Sequence, residues 1–300
     1  MEVSNAIFSQ PWGGLGDNLQ FSNLPKLFNS IDKKFYISFL NYSRNKEIYD
    51  LAWGNNSNVE NRRKLFPNVG YKLLLDCKFK VFDKKFNNIQ NINKLHGFDA
   101  SEGFPEISIK DQNHKFIEEK NDIVIDFNAY SLFENTHRRY KKDSFNNMVK
   151  NFSSKNTIEL VYPHLYKNNL FKSNNKVKEI NNLESLISTL INTKLFVCLN
   201  SGSHILASGL KNLTGYPKKV VSFNSCHDDI KVKDGKIENK KGKFYFDNVY
   251  YEFLDIEYSD NITKSEEQDL QSVSEKMNKY IKLNQVYFNL NKKYTNLVTK

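Results

Sequence analysis

A glycine-rich turn set between an apolar strand and an amphipathic helix constrains this chain more than any other feature. Ala6, Ile7 and Phe8 form a short apolar segment, Gly13, Gly14 and Gly16 follow it, and Leu19, Leu24, Leu27 and Phe28 then fall on roughly one helical face. The segment from Lys34 to Tyr42, rich in aromatic and β-branched residues, reads as the next strand and completes a βαβ opening. Glycines in such a turn permit positive φ and close backbone approach, and the helix start beyond them offers N–H groups to an anion. The turn has no Gly-Lys-Ser/Thr of a Walker A loop and no GxGxxG fingerprint. Asp17, with Asn18 beside it, is therefore either a helix cap or a general base at the edge of a cleft.

The rest of the chain repeats the alternation. Ile48, Leu51 and Ala52 have helical spacing before Gly54, Tyr71 to Leu75 is strand-like, and a Lys- and Asn-rich stretch from Phe79 to Leu95 has no assigned element. A polar boundary from Ile109 to Asn121 is taken as the linker. A second series begins with the strand from Asp122 to Asn128 and continues through Thr157 to Val161, a helix from Leu183 to Leu190, a strand from Leu195 to Leu199, a short helix from Ile205 to Leu210 and a strand from Lys219 to Asn224. Lys231 to Tyr251 reads as a hairpin insertion with Asp234 and Gly235 at its tip. Ser265 with the acids after it opens a C-terminal helical segment. Strands and helices in two series predict two α/β domains with parallel sheets, whose ligands bind beyond the strand C-termini. The predicted boundaries are 1–115, 122–260 and a helical segment 265–300, as expected for 300 residues when domains hold about 100–200 each.

Charge narrows the partners. Forty-four Lys and Arg against 34 Asp and Glu give +10, which favours anionic ligands. The basic residues are scattered, apart from clusters at 137–142 and 231–243, and are not interleaved with stacking aromatics, so nucleic acid is not an expected partner. Cys77, Cys198 and Cys226 are widely spaced without CxxC or paired Cys/His spacing, so neither a disulfide scaffold nor a metal centre is expected. His96, His114, His164 and His227 likewise have no metal-ligand spacing. No cleavable signal, no lipidation motif and no run of about 18 apolar residues is seen, so a cytoplasmic protein is expected, with contact at an anionic inner membrane face left open.

A second loop matches the first. The strand ending at Leu199 runs into Asn200, Ser201, Gly202, Ser203 and His204 at a helix start, a turn that supplies N–H groups and hydroxyls to a phosphate or serves as an ordinary strand-to-helix connection. Taken together, Gly-Gly-Leu-Gly-Asp-Asn-Leu at 13–19 with Pro25, and Cys-Leu-Asn-Ser-Gly-Ser-His-Ile-Leu-Ala-Ser at 198–208, resemble the heptosyltransferase-like glycosyltransferases (glycosyltransferase family 9). Asn200 stands where that family has Asp, His204 one place before its common His, and Pro25 about two residues later than its proline. The resemblance implies a GT-B fold, two Rossmann-like domains facing a central cleft. It also implies that Asp17 deprotonates the acceptor hydroxyl and that Ser201, Gly202 and their neighbours hold the diphosphate of a nucleotide sugar.

On that reading the reaction is an inverting, metal-independent transfer to a glycan or lipid-linked acceptor, with the nucleotide-diphosphate sugar as co-substrate and no cofactor. Asn128, Tyr130 and Ser131, after the first strand of the second series, are candidate donor contacts or polar strand-end residues. Arg138 and Arg139 either supply leaving-group charge or form a solvated loop. His137-Arg-Arg resembles the His-x-Arg-Arg-Gly-Asp pattern of GDP-fucose-using transferases without its Gly-Asp. A non-catalytic nucleotide- or glycan-binding protein of the same fold, with Asp17 as a cap, is the competing expectation.

Overall fold

The computed structural model describes residues 5–10, 14–32, 34–39, 46–54, 71–74, 83–101, 103–109, 121–126, 157–163, 176–225, 232–233, 236–240 and 243–254. Within them two parallel sheets form, each built as the alternating pattern requires. The smaller has the order β2-β1-β3, from β1 (Asn5–Gln10), β2 (Lys34–Phe39) and β3 (Tyr71–Leu74). Both partners of β1 run parallel to it, so the chain passes to one side for β2 and to the other for β3. Strand order therefore reverses at β1, the strand that feeds the glycine turn.

The larger sheet comprises β4 (Asn121–Asp126), β5 (Thr157–Val161), β6 (Lys176–Glu179), β7 (Thr193–Leu199), β8 (Lys219–Ser225) and β11 (Tyr250–Leu254). Its order, β11-β8-β7-β4-β5-β6, read from the opposite edge and counted by strand appearance, is the 3-2-1-4-5-6 arrangement of dinucleotide-binding sheets. All its pairings are parallel. The order reverses between β4 and β7, and ligands of such sheets lie outside the strand C-termini at that point.

The residues explain the elements. Val124, Phe196 and Val220 share a register across β4, β7 and β8 and are completely buried. They form an apolar row under α5 (Leu183–Ile191) and α6 (Gly202–Thr214), whose Leu186, Leu190, Ile205, Leu206 and Leu210 join the same cluster. Each such side chain contributes roughly 1.5–3 kcal/mol by leaving water. The α6 helix runs on past Leu210 to end at Gly215, whose φ of 77° is the left-handed conformation of a helix C-terminus.

Three expectations are corrected. The single helix read from Asp17 to Phe28 is two, α1 (Leu15–Leu19) and α2 (Leu24–Asn29). Pro25 lacks the N–H needed to continue α1 but suits the first turn of a new helix, where that N–H has no intrahelical partner, and Asn23 between them is tied to another segment, donating to the Phe104 carbonyl and accepting from Glu106 N–H, each at 2.8 Å. The Asn-rich stretch contains α4 (Asn88–Leu95), started by a capping box in which Asn87 accepts from Gln90 N and Gln90 from Asn87 N. Among the described residues the hairpin is the short antiparallel pair β9 (Val232–Lys233) and β10 (Lys236–Ile237), and the chain beyond it enters the larger sheet as β11.

Contacts join the two sheets' helices. Glu47 of α3 (Lys46–Trp53) accepts from the first N–H of α5, Leu183, at 2.8 Å, placing a carboxylate where the helix dipole is positive. Segment 103–109 lies against α6 so closely that a methyl group on Gly209 would stand 2.8 Å from Pro105 Cγ. Of the linker read from Ile109 to Asn121, Asn121 already opens β4, and residues 110–120, like the segment 265–300, lie outside the described residues. Among the described residues, no helix is long and apolar enough to cross a membrane.

Candidate functional site

Both glycine-bearing turns stand where strand order reverses, and the structure brings them against each other. The α1 helix starts at Gly14, whose extended backbone (φ −70°, ψ 150°) makes it the N-cap, so Asp17 is not the capping residue but the third residue of the helix. Its carboxylate folds back over the turn, with Oδ2 only 2.7 Å from where a methyl group on Gly14 would sit. A side chain at 14 would displace the acid. Neither Gly14 nor Gly16 has positive φ, so close approach, not left-handed backbone, is what these two positions need glycine for.

The facing element is the start of α6. A methyl group on Gly202 would lie 3.0 Å from Leu15 Cβ and 3.2 Å from Gly16 N, and one on Gly16 would lie 2.7 Å from Ile205 Cδ1 and 3.6 Å from Gly202 Cα. The two helix starts therefore meet through bare backbone. Ser201, the N-cap residue of α6, makes no side-chain cap, and its Oγ instead lies 2.9 Å from Ser203 Oγ. The start of this 13-residue helix, set against the glycine turn, thus lacks the N-cap hydroxyl bond that commonly satisfies one of its first-turn N–H groups. That end of a helix also carries partial positive charge. An N–H-rich turn can hold an anion, and a carboxylate beside it can accept a proton.

Asn18 is completely buried and donates through Nδ2 to the Gly14 carbonyl at 2.8 Å, bracing the turn from inside, while its Oδ1 has no hydrogen-bond partner among the described residues. Asn200, Ser201 and Gly202 are partly exposed at the mouth. His204 faces the other way. Its ring is enclosed, Nε2 shares a hydrogen bond with Tyr251 Oη at 3.1 Å, and the Phe246 ring lies 5.3 Å away. Burial drives its pKa down to about 3, so the imidazole is neutral at ordinary pH. Gly13, Asn128, Tyr130, Ser131, Arg138 and Arg139 lie outside the described residues.

The structure adds a polar row that spacing did not single out. Asp126, Cys198, Ser222 and Tyr251 share one register across β4, β7, β8 and β11, so they point to one face of the sheet, under α6. All four are buried. Two residues nearer the strand starts, the same face carries the apolar row of Val124, Phe196 and Val220, so polarity changes at the crevice end of the sheet. Asp126, last in β4, accepts from Tyr162 Oη at 2.8 Å, and burial, with Asp126 beside it, pushes the Cys198 thiol well above its usual value. An acid closing the apolar run Ile123-Val124-Ile125 was the available signal. His96, by contrast, is satisfied locally, with Nδ1 2.8 Å from the Ile92 carbonyl.

No protein-family model matches the sequence, and no curated protein does so at a significant level. Solved structures match by shape. A glycosyl transferase family 9 protein from Veillonella parvula aligns with a TM-score of 0.55 at 11% identity, over 85% of this chain and 87% of its own. The iron-containing dodecameric heptosyltransferase TibC of enterotoxigenic E. coli, in complex with ADP-D-beta-D-heptose, aligns with a TM-score of 0.54 at 11% identity, over 93% and 78%. E. coli heptosyltransferase WaaC with ADP gives 0.51 at 10% identity, over 91% and 98%. At these identities the likeness is one of fold, and it extends along nearly the whole chain.

Proposed function

We infer that this chain is a glycosyltransferase of GT-B architecture, moving a sugar from a nucleotide-diphosphate sugar to a hydroxyl of a surface polysaccharide or lipid-linked glycan. The observation that carries the reading is the meeting of the Gly14–Asp17 turn with the uncapped start of α6, each at the reversal point of its own parallel sheet. The fold shared with family 9 glycosyltransferases supports it, as do the ADP and ADP-heptose that WaaC and TibC hold.

In this reading residues 1–115 form the acceptor-side Rossmann-like domain and 122–260 the donor-side one. The diphosphate rests on the first-turn N–H groups of α6 and the Ser201 and Ser203 hydroxyls. Asp17 takes the proton of the acceptor hydroxyl as its oxygen attacks the anomeric carbon. The bond from that carbon to the diphosphate oxygen breaks on the opposite face, so the configuration inverts. The leaving nucleoside diphosphate keeps the electron pair, and its charge is met by the N–H groups, the helix dipole and the Arg138–Arg139 cluster, with no metal required. The protein works on the cytoplasmic side, at the inner membrane face for a lipid-linked acceptor.

A thermal-shift panel of ADP, UDP, GDP, CDP and their sugars tests the donor half of this reading. A ligand that binds only the folded chain adds about 2.7 kcal/mol of stability at 100 times its Kd. One nucleoside diphosphate is expected to raise Tm by several degrees, and its sugar is expected to be hydrolysed slowly without acceptor. No shift across the panel would remove the donor reading, and binding without any turnover would make the chain a binding module.

A further inference from the structure

Helix α6 carries a polar stripe that the donor reading leaves unused. His204, Ser208 and Lys211 recur at i, i+4 and i+7, on one helical face, and all three bond to residues 248–251 at the entrance of β11. Besides the His204–Tyr251 bond, Ser208 Oγ donates to Asn248 Oδ1 and Asn248 Nδ2 donates back to the Ser208 carbonyl, both at 2.9 Å, while Lys211 Nζ donates to the Asn248 carbonyl at 2.8 Å. Tyr251 Oη also accepts Phe246 N–H at 2.6 Å. On its far side this segment touches the first half of the chain, with Phe246 stacked on Phe104 at 6.3 Å and Asn88 N–H donating to the Lys243 carbonyl at 2.9 Å.

An apolar face would pack α6 as tightly at less desolvation cost, because each buried polar group must find its partner. What directional bonds add is a fixed rotation and height for the helix. His204 is the uppermost member of the stripe, in the turn proposed to receive the diphosphate, and it comes at the cost of an Nδ1 with no hydrogen-bond partner among the described residues. A phenylalanine would fill the same space without that orphan nitrogen. A neutral, enclosed imidazole cannot serve as a cationic phosphate ligand either. We propose that His204 and Tyr251 are positioning residues, which hold the first turn of α6 in the orientation that receives a diphosphate and do not touch it. The assignment rests on the reading of that turn as the diphosphate site.

Tyr251→Phe removes one oxygen and keeps the ring packing, and His204→Gln keeps a polar group without the ring. In the full chain, amide exchange is followed by mass spectrometry on peptides covering 200–206 and 207–215, and inorganic pyrophosphate is titrated calorimetrically. Tyr251→Phe also frees Phe246 N–H, but α6 itself loses only the His204 bond, and that loss is expected to speed exchange in 200–206 and to raise the pyrophosphate Kd, each by about five- to tenfold. Exchange in 207–215 stays as in wild type, because Ser208 and Lys211 keep their bonds to Asn248. Unchanged exchange, or an equal increase along all of α6, would overturn the proposal. So would a loosened first turn with unchanged pyrophosphate affinity, and there Gly202→Val separates the two readings. If that variant still weakens pyrophosphate, the site stands and the positioning role fails. If neither does, or if wild type does not bind pyrophosphate, the site itself is misassigned.

Discussion

Asp17→Asn is expected to lower the turnover number for sugar transfer by about 10²–10⁴-fold, the contribution of a positioned general base, while nucleoside-diphosphate affinity stays at the wild-type value. The amide is isosteric with the carboxylate and fits the same place over Gly14. What it loses is basicity. Asp17 is the acid in the first turn of α1, and removing its charge costs about 0.3–1 kcal/mol of helix-dipole stabilisation, far less than the stability of a folded domain. Initial rates with the true acceptor, calorimetric titration of the nucleotide and a melting curve together separate the chemical role from a structural one. Near-wild-type turnover would make Asp17 a helix-start residue and nothing more.

A second large effect is expected at Gly202. Its Cβ position faces Leu15 Cβ at 3.0 Å and the Gly16 backbone nitrogen at 3.2 Å, and a backbone atom, unlike the end of a side chain, cannot swing aside. Gly202→Val therefore has to push the start of α6 away from the glycine turn. Overpacking of this kind costs about 1–3 kcal/mol of stability, and the displaced turn also loses its charge-assisted bonds to a diphosphate, a roughly ten- to hundredfold fall in affinity. Gly97→Ala is the control. Gly97 has a φ of 86° and open space around it, so substitution there strains the backbone without touching the site, and it is expected to lower Tm while leaving the titration unchanged. Equal loss of affinity in both variants would mean that stability, not the turn, governs binding.

How far the sequence foretold this arrangement follows from where its local signals were strong. Apolar β-branched runs gave β4, β7 and β8 because central parallel strands are buried on both faces. By contrast, β6 reads Lys-Val-Lys-Glu and lies mostly exposed at the sheet edge, so no alternation announced it. In α4 the buried face is half asparagine, with Asn91 and Asn93 beside Ile89 and Ile92, so no apolar periodicity stood out, and the signal that remained was the Asn87–Gln90 capping box. The site divided in the same way. Glycine turns at helix starts are visible as local patterns, and the structure brought the two together. The row of Asp126, Cys198, Ser222 and Tyr251 is assembled by register among four strands, which no local window contains. His204 looked like a phosphate ligand because its neighbours in sequence face the crevice, but helical rotation turns its ring under α6 onto Tyr251.

The claim on which the account stands is that the two turns form one anion-binding crevice. Amide resonances of the ¹⁵N-labelled chain, followed during titration with the nucleoside diphosphate that gives the largest thermal shift, test it most directly. The largest perturbations are expected to fall together on Gly14 to Asn18 and on Asn200 to Ser203, with one common dissociation constant. Perturbations centred elsewhere, or confined to one turn while the other stays silent at saturation, would contradict it.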